Sequence, residues 1–157
     1  MLMNIYEFLK TGVLGQLSVK YTEEVLRQNF GAGVLGDKLF PDKAYNDVYY
    51  YYAYGGVLEI CVSFGEVSHF NVTIYENFFY IEYADKKHYL SEVNTFPAFT
   101  DLLDAMKINW TFLSKYSFGK QLAIITEGNV VIVFTFNDQE KSADKFQINL
   151  NDRFERA

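Results

Sequence analysis

Apolar and polar side chains alternate along much of this chain in short runs bounded by glycine, the period-two pattern of half-buried strands. Such runs lie around Gly55-Gly56, Gly65-Glu66 and Glu76-Asn77, as a β-meander requires. A second set, Gln121 to Thr126 and Val130 to Phe136, flanks Gly128-Asn129, and a last strand is predicted from Lys145 to Leu150. Helical spacing is rarer. Ile5, Phe8 and Leu9 precede Gly12, and Thr22 is placed to cap a short helix through Glu23, Glu24, Val25 and Leu26 that ends at Gly31. The clearest helix follows Thr95, where Phe99, Leu102, Leu103 and Met106 recur at i, i+3, i+4 and i+7.

These patterns predict an α+β protein, mainly antiparallel sheet in two meander or hairpin segments, with about three short helices. The order is helix then strands, twice, which is compatible with a pseudo-repeat although the halves share no residue-level similarity. No Pro-rich or Ser-rich linker divides the 157 residues, so one domain, 1–157, is expected, with 151–157 as a loose tail.

Alternation also assigns faces. A two-residue turn at Gly55-Gly56 sets Tyr54 opposite Val57, Tyr52 opposite Glu59 and Tyr50 opposite Cys61. Tyr49, Tyr51, Ala53, Leu58, Ile60, Val62 and Phe64 then share the apolar face, continued by Phe70, Val72 and Ile74. His69, Asn71, Thr73 and Tyr75 continue the polar one. A turn at Glu76-Asn77 would add Phe79, Ile81 and Tyr83 to the core, and Phe78, Tyr80 and Glu82 to the mixed face.

The candidate partner-binding residues are therefore Tyr50, Tyr52, Tyr54, Glu59, His69, Asn71, Thr73, Tyr75, Tyr80 and Glu82. Tyrosine combines a large apolar ring with a hydrogen-bonding tip, the chemistry enriched at interface hot spots. The plainer alternatives are a sheet that shows one face to water, stabilised by cross-strand pairs, or a face covered by another part of the chain.

Charge narrows the partner. A formal net charge of -6 argues against nucleic acid, whose phosphates require clustered Lys and Arg, and favours encounter with a basic protein. No run approaches a membrane-spanning length, and the opening Met1 to Glu7 lacks the basic and apolar regions of a secretory signal. A cytoplasmic protein without membrane contact is expected. The single cysteine, Cys61, rules out an internal disulfide framework. The triplets Asn71-Val72-Thr73 and Asn109-Trp110-Thr111 read as strand residues that match a glycosylation pattern by chance.

Motifs for chemistry are sparse. Gly31-Ala32-Gly33-Val34-Leu35-Gly36 has the letters of the dinucleotide-binding pattern, but a helix precedes it where a strand is needed, and no helix is predicted to open on it. It is read as a helix cap and loop, so no cofactor is expected. A turn centred on Gly65 would bring Cys61 and His69 together as a thiol–imidazole pair, whereas a turn at Gly65-Glu66 would separate them. His88, beside Lys86 and Lys87, reads as a solvated loop residue. No histidine and cysteine set suits a metal. Asp101 and Asp104 read as a solvated helix side, and Glu23 with Arg27 as an i, i+4 ion pair.

The segment Gly15-Gln16-Leu17-Ser18-Val19-Lys20-Tyr21-Thr22-Glu23-Glu24-Val25-Leu26 resembles the opening of a group of small bacterial α+β proteins. That group carries a G-P-L-x-L-G-M-[ST]-x-E-E-V signature before a short helix and an L-G-x-P turn. Phe118-Gly119-Lys120-Gln121-Leu122 through Thr126-Glu127-Gly128 resembles its closing hairpin. Gln16 replaces the Pro of the pattern, Lys20-Tyr21 its Gly-Met, and no Pro directly follows Gly31. The likeness covers under about a third of the chain. Some members of the group resemble immunity proteins of contact-dependent or other polymorphic toxin systems.

The resemblance points to an immunity protein of a cognate toxin as the concrete form of a non-enzymatic protein-binding module, and the acidic, Tyr-rich face adds the expectation of occlusion over the active site of a basic toxin domain. The signature describes a strand, turn and capped helix, so no functional residues carry over from it. Two other classes stay open. One is a small-molecule binder or cysteine-dependent hydrolase using the Cys61 and His69 face. The other is a structural adaptor or homo-oligomer that buries the same face.

Overall fold

The computed structural model describes residues 3–15, 17–19, 21–30, 33–39, 47–73, 78–136 and 141–149, with the backbone alone for Thr73 and 141–149. The fold is α+β and its sheets are mostly antiparallel. The predicted turn at Glu76-Asn77, the helix end at Gly31, Ile74, Tyr75, Leu150 and the tail lie outside the described residues.

After strand β1 (Met3–Asn4) come helices α1 (Tyr6–Thr11) and α2 (Glu23–Asn29), then strands β2 (Leu35–Leu39), β3 (Val48–Ala53), β4 (Leu58–Ser63) and β5 (Glu66–Thr73). A hairpin of β6 (Phe79–Tyr83) and β7 (Lys86–Tyr89) leads to α3 (Phe96–Ala105). The chain ends its described part in β8 (Trp110–Phe112), β9 (Gln121–Thr126), β10 (Val130–Phe136) and β11 (Lys141–Asn149).

The large sheet has the order β2-β3-β4-β5-β11-β10-β9-β8, antiparallel throughout. It is two four-strand meanders, each entered from a helix and each ending on the strand that meets the other, β5 against β11. That arrangement gives the helix-then-strands order its pseudo-symmetry. The last strand begins at Lys141, earlier than the predicted Lys145.

The helices form where expected. Thr22 Oγ1 accepts the Val25 amide at 3.2 Å, and Thr95 Oγ1 accepts the Ala98 amide at 3.3 Å, each satisfying an orphan donor of the first turn. Gly12 closes α1 in the left-handed region, with φ 81°. Ile5, Phe8, Leu9, Leu26, Phe99, Leu102, Leu103 and Met106 are all buried, and one apolar cluster joins them to Ile60, Phe70, Val72, Ile124, Ile132 and Phe134 of both meanders. Phe8 meets Phe70 at a ring separation of 5.4 Å, and Phe99 meets Phe134 at 6.2 Å. The helices therefore cover one face of the large sheet.

The opposite face is treated differently in its two halves. On the second meander, Leu113, Ala123, Ile125 and Val131 bury a smaller cluster under the turn that carries Tyr116. On the first meander that face carries Tyr50, Tyr52, Glu59, Cys61, His69 and Asn71.

Two assignments change beyond β5. The hairpin of β6 and β7 joins β1 in a separate three-stranded sheet instead of extending the large one. There Phe79 and Ile81 are buried as expected, but Tyr83 is 38% exposed and Phe78 packs toward the main core. His88 lies in β7, paired with Ile81 and half-buried, not in a loop.

Candidate functional site

The open face of β3, β4 and β5 is built by strand register. Tyr52 pairs with Glu59 and Glu59 with Asn71; Tyr50 pairs with Cys61 and Cys61 with His69. The second row depends on a β-bulge. The β4–β5 turn is Phe64-Gly65, so Ser63 opposes Glu66 and Val62 opposes Val67; one extra residue, Ser68, then restores Cys61 opposite His69. The turn itself differs from the Gly65-Glu66 reading, and Phe64, expected in the core, sits at its tip at 79% exposure.

In the first row the Tyr52 hydroxyl donates to Glu59 Oε2 at 3.1 Å and Asn71 Nδ2 donates to Glu59 Oε1 at 2.7 Å. Both carboxylate oxygens are thus held by neighbouring strands. Asn71 is buried, and its Oδ1 has no hydrogen-bond partner among the described residues. The Glu59 charge beside it, and the hydrogen bond to it, hold the Tyr52 phenol above its ordinary pKa.

In the second row the Tyr50 ring stands edge-on to His69 at 6.1 Å. Burial, then the neighbouring Cys61 and Glu59, push the Tyr50 phenol up to about 12. Ser68 Oγ lies 3.1 Å from His69 Nδ1. Cys61 is in register with the imidazole but only 2% exposed, which shields the thiol from a substrate.

The face is smaller than the ten candidate residues imply. Tyr54 turns the other way at the end of β3, half-buried against Phe78 at 5.2 Å and Phe30 at 5.9 Å. Tyr80 and Glu82 belong to the small sheet, where Lys87 Nζ lies 4.8 Å from the Tyr80 ring centroid. Thr73 shares the strand of His69 and Asn71, with its side chain outside the described residues, as all of Tyr75 is. The structure brings together Tyr50, Tyr52, Glu59, His69 and Asn71, with Cys61 beneath them.

A second polar cluster lies on the helix-covered face. Glu23 accepts the hydroxyls of both Tyr49 and Tyr51, and Arg27 Nη2 reaches Glu23 Oε1 at 3.0 Å and Tyr51 Oη at 2.9 Å. Lys38 Nζ is 3.7 Å from Glu23 Oε1 and 3.7 Å from the Tyr49 ring centroid. The i, i+4 pair of Glu23 and Arg27 is thus part of a network tying α2 to β2 and β3. Spacing along the helix showed the pair; the tyrosines, over twenty residues away, carried no local signal.

The glycine motif lacks the geometry of a phosphate site. Its described part, Gly33 to Gly36, runs through a turn into β2, and a Cβ on Gly36 would lie 3.0 Å from the Tyr52 carbonyl oxygen. Gly36 thus serves close strand approach rather than a helix N-terminus. Asp101 and Asp104 are both exposed, as expected, and Asp104 accepts the Trp110 indole N–H at 2.8 Å.

Among the described residues no group of three or more His, Cys, Asp or Glu is arranged to hold a metal, and no helix is long and apolar enough to cross a membrane. No family model, curated protein or solved structure matches the chain.

Proposed function

We propose that the open face of β3, β4 and β5 is a docking surface for a basic protein, and that the chain acts as an immunity protein that occludes the active site of a cognate toxin. One observation carries the docking reading. Glu59 presents a carboxylate oriented by Tyr52 and Asn71, without an ion-pair partner among the described residues. An acidic group held in place ahead of binding loses little freedom when a cation arrives. The flanking tyrosine rings supply contact area, and the net charge of -6 favours approach of a basic surface. The toxin as partner rests on the resemblance of the Gly15–Leu26 segment.

Co-expression with a basic toxin domain encoded beside this chain tests the reading. The wild-type chain is expected to co-purify with the toxin and suppress its activity. Tyr52→Ala combined with Glu59→Lys is expected to weaken the complex by at least about 2 kcal/mol, roughly thirtyfold in Kd. An unchanged affinity in the folded double variant removes this face as the site.

The register of Cys61 with His69 favours a second reading, thiol chemistry at the same face. It requires Cys61 to become accessible and His69 to activate it. Alkylation of Cys61 at an ordinary rate, unaffected by His69→Ala, eliminates it.

A further inference from the structure

We infer that Glu59 and Asn71 form the seat of a single arginine side chain of the partner, an inference that rests on the docking reading and names the chemistry this face recognises. Asn71 is 4% exposed, its Nδ2 is committed to Glu59 Oε1 at 2.7 Å, and its Oδ1 is buried without a partner among the described residues. Tyr52 holds the other Glu59 oxygen at 3.1 Å. The Tyr52 hydroxyl and one N–H of Asn71 are spent on Glu59; the acceptor capacity that remains is the lone pairs of Asn71 Oδ1 and the second lone pairs of the carboxylate.

A complementary group must bring N–H donors, a positive charge and a flat face to lie beside the tyrosine rings. A guanidinium has all three. An ammonium brings donors and charge as a compact, strongly hydrated point, and a neutral amide brings donors without charge. Planar pairing with a carboxylate adds direction to the contact, so the same group that neutralises Glu59 is the one able to reach toward Asn71. Asn71 Oδ1 lies below the surface, so the guanidinium engages Glu59 first. The Tyr52 phenol, 38% exposed, keeps its hydrogen bond to the carboxylate and presents its ring beside the incoming group.

The test is a titration of the full-length, 15N-labelled chain with capped arginine and, separately, capped lysine, following the side-chain amide resonances of Asn71 by NMR. Saturable movement of the Asn71 pair with arginine is expected, with lysine binding at least roughly fivefold more weakly and Glu59→Gln reducing arginine affinity by roughly tenfold. Equal response to lysine, or a response that survives Glu59→Gln unchanged, overturns the arginine seat, and so does a stationary Asn71 pair. If the Asn71 pair stays still while Tyr52→Ala with Glu59→Lys still disrupts the toxin complex, the seat alone fails and the docking reading stands. If that double variant binds the toxin normally, both fail.

Discussion

Glu23, in the first turn of α2, accepts the hydroxyl of Tyr49 from β3, so a helix residue and a strand residue far apart in sequence close one side of the core. Tyr51 donates to the same carboxylate, and Arg27 and Lys38 supply positive charge. Removing the carboxylate leaves two largely buried phenols without their acceptor. Glu23→Ala is therefore expected to destabilise the fold by about 2 to 4 kcal/mol, and Tyr51→Phe by about 1 kcal/mol, read as a lower urea midpoint at unchanged m. The pH dependence has a definite sign. Burial works to raise the Glu23 carboxyl, but the two tyrosine hydrogen bonds and the Lys38 and Arg27 charges outweigh it and hold it below its ordinary value. A folded-state pKa that is lowered contributes stability above the unfolded-state value and loses it as pH falls through the folded one. Glu23→Gln should flatten the acid limb of the stability curve.

Alkaline pH probes the open face instead. The Tyr50 phenol is pushed from 10.0 to about 12, so the folded chain keeps its proton where the unfolded chain has lost it. That contribution is complete below pH 10 and disappears as pH rises toward 12. Stability should fall across this window, and Tyr50→Phe should reduce the slope. Tyr49, Tyr51, Tyr52 and Tyr54 are also raised, so the single substitution removes part of the effect. Denaturant midpoints measured along this pH series decide it; identical slopes for the two proteins would place the Tyr50 phenol in an ordinary environment.

How far the sequence was legible follows from the range of each interaction. Within a hairpin, alternation and the turn specify which residues oppose each other, and the pairs Tyr52 with Glu59 and Tyr50 with Cys61 were readable for that reason. Cys61 and His69 came into register although the turn fell at Phe64-Gly65, because the Ser68 bulge supplied a residue that no turn rule contains. Beyond β5 the same parity argument placed Tyr80 and Glu82 on the wrong sheet. Nothing local says that β6 leaves to pair with β1 or that β11, some seventy residues on, takes the place beside β5. The Glu23 network was half legible, as a helix pair without its strand partners.

Gly128 tests a close backbone approach. Its amide reaches the Leu9 carbonyl at 3.3 Å, supplying a partner at the end of α1, and a Cβ there would lie 2.7 Å from the Gly12 nitrogen and 2.8 Å from Leu9 O and Thr11 N. All three are backbone atoms, so relief requires α1 to move away from the β9–β10 turn. Gly128→Ala should cost about 2 to 3 kcal/mol by thermal unfolding. Gly15→Ala, where the Cβ meets nothing and the strain is only that of φ 61°, should cost about 1 kcal/mol. Equal costs at the two positions would show that steric approach is not what Gly128 provides.

The Phe64-Gly65 turn makes the reverse prediction, a substitution that stabilises. Phe64 has φ 52° and Gly65 φ 80°, the positive pair of a type I′ turn, which favours Asn-Gly and strains a bulky residue at the first position. The ring has no burial to offset that strain, being 79% exposed. Its amide still donates to the Asp47 carbonyl at 2.8 Å, a bond that asparagine preserves. Phe64→Asn should therefore raise the unfolding free energy by about 0.5 to 1 kcal/mol. The hairpin tip follows directly on β4, so on the docking reading the exposed ring stands where a partner of the open face would meet it. The same variant should then bind a partner of that face more weakly while unfolding at higher denaturant. A loss of stability would show that the Phe64 ring is supported by contacts within the fold, and the tip would then have no claim on a partner.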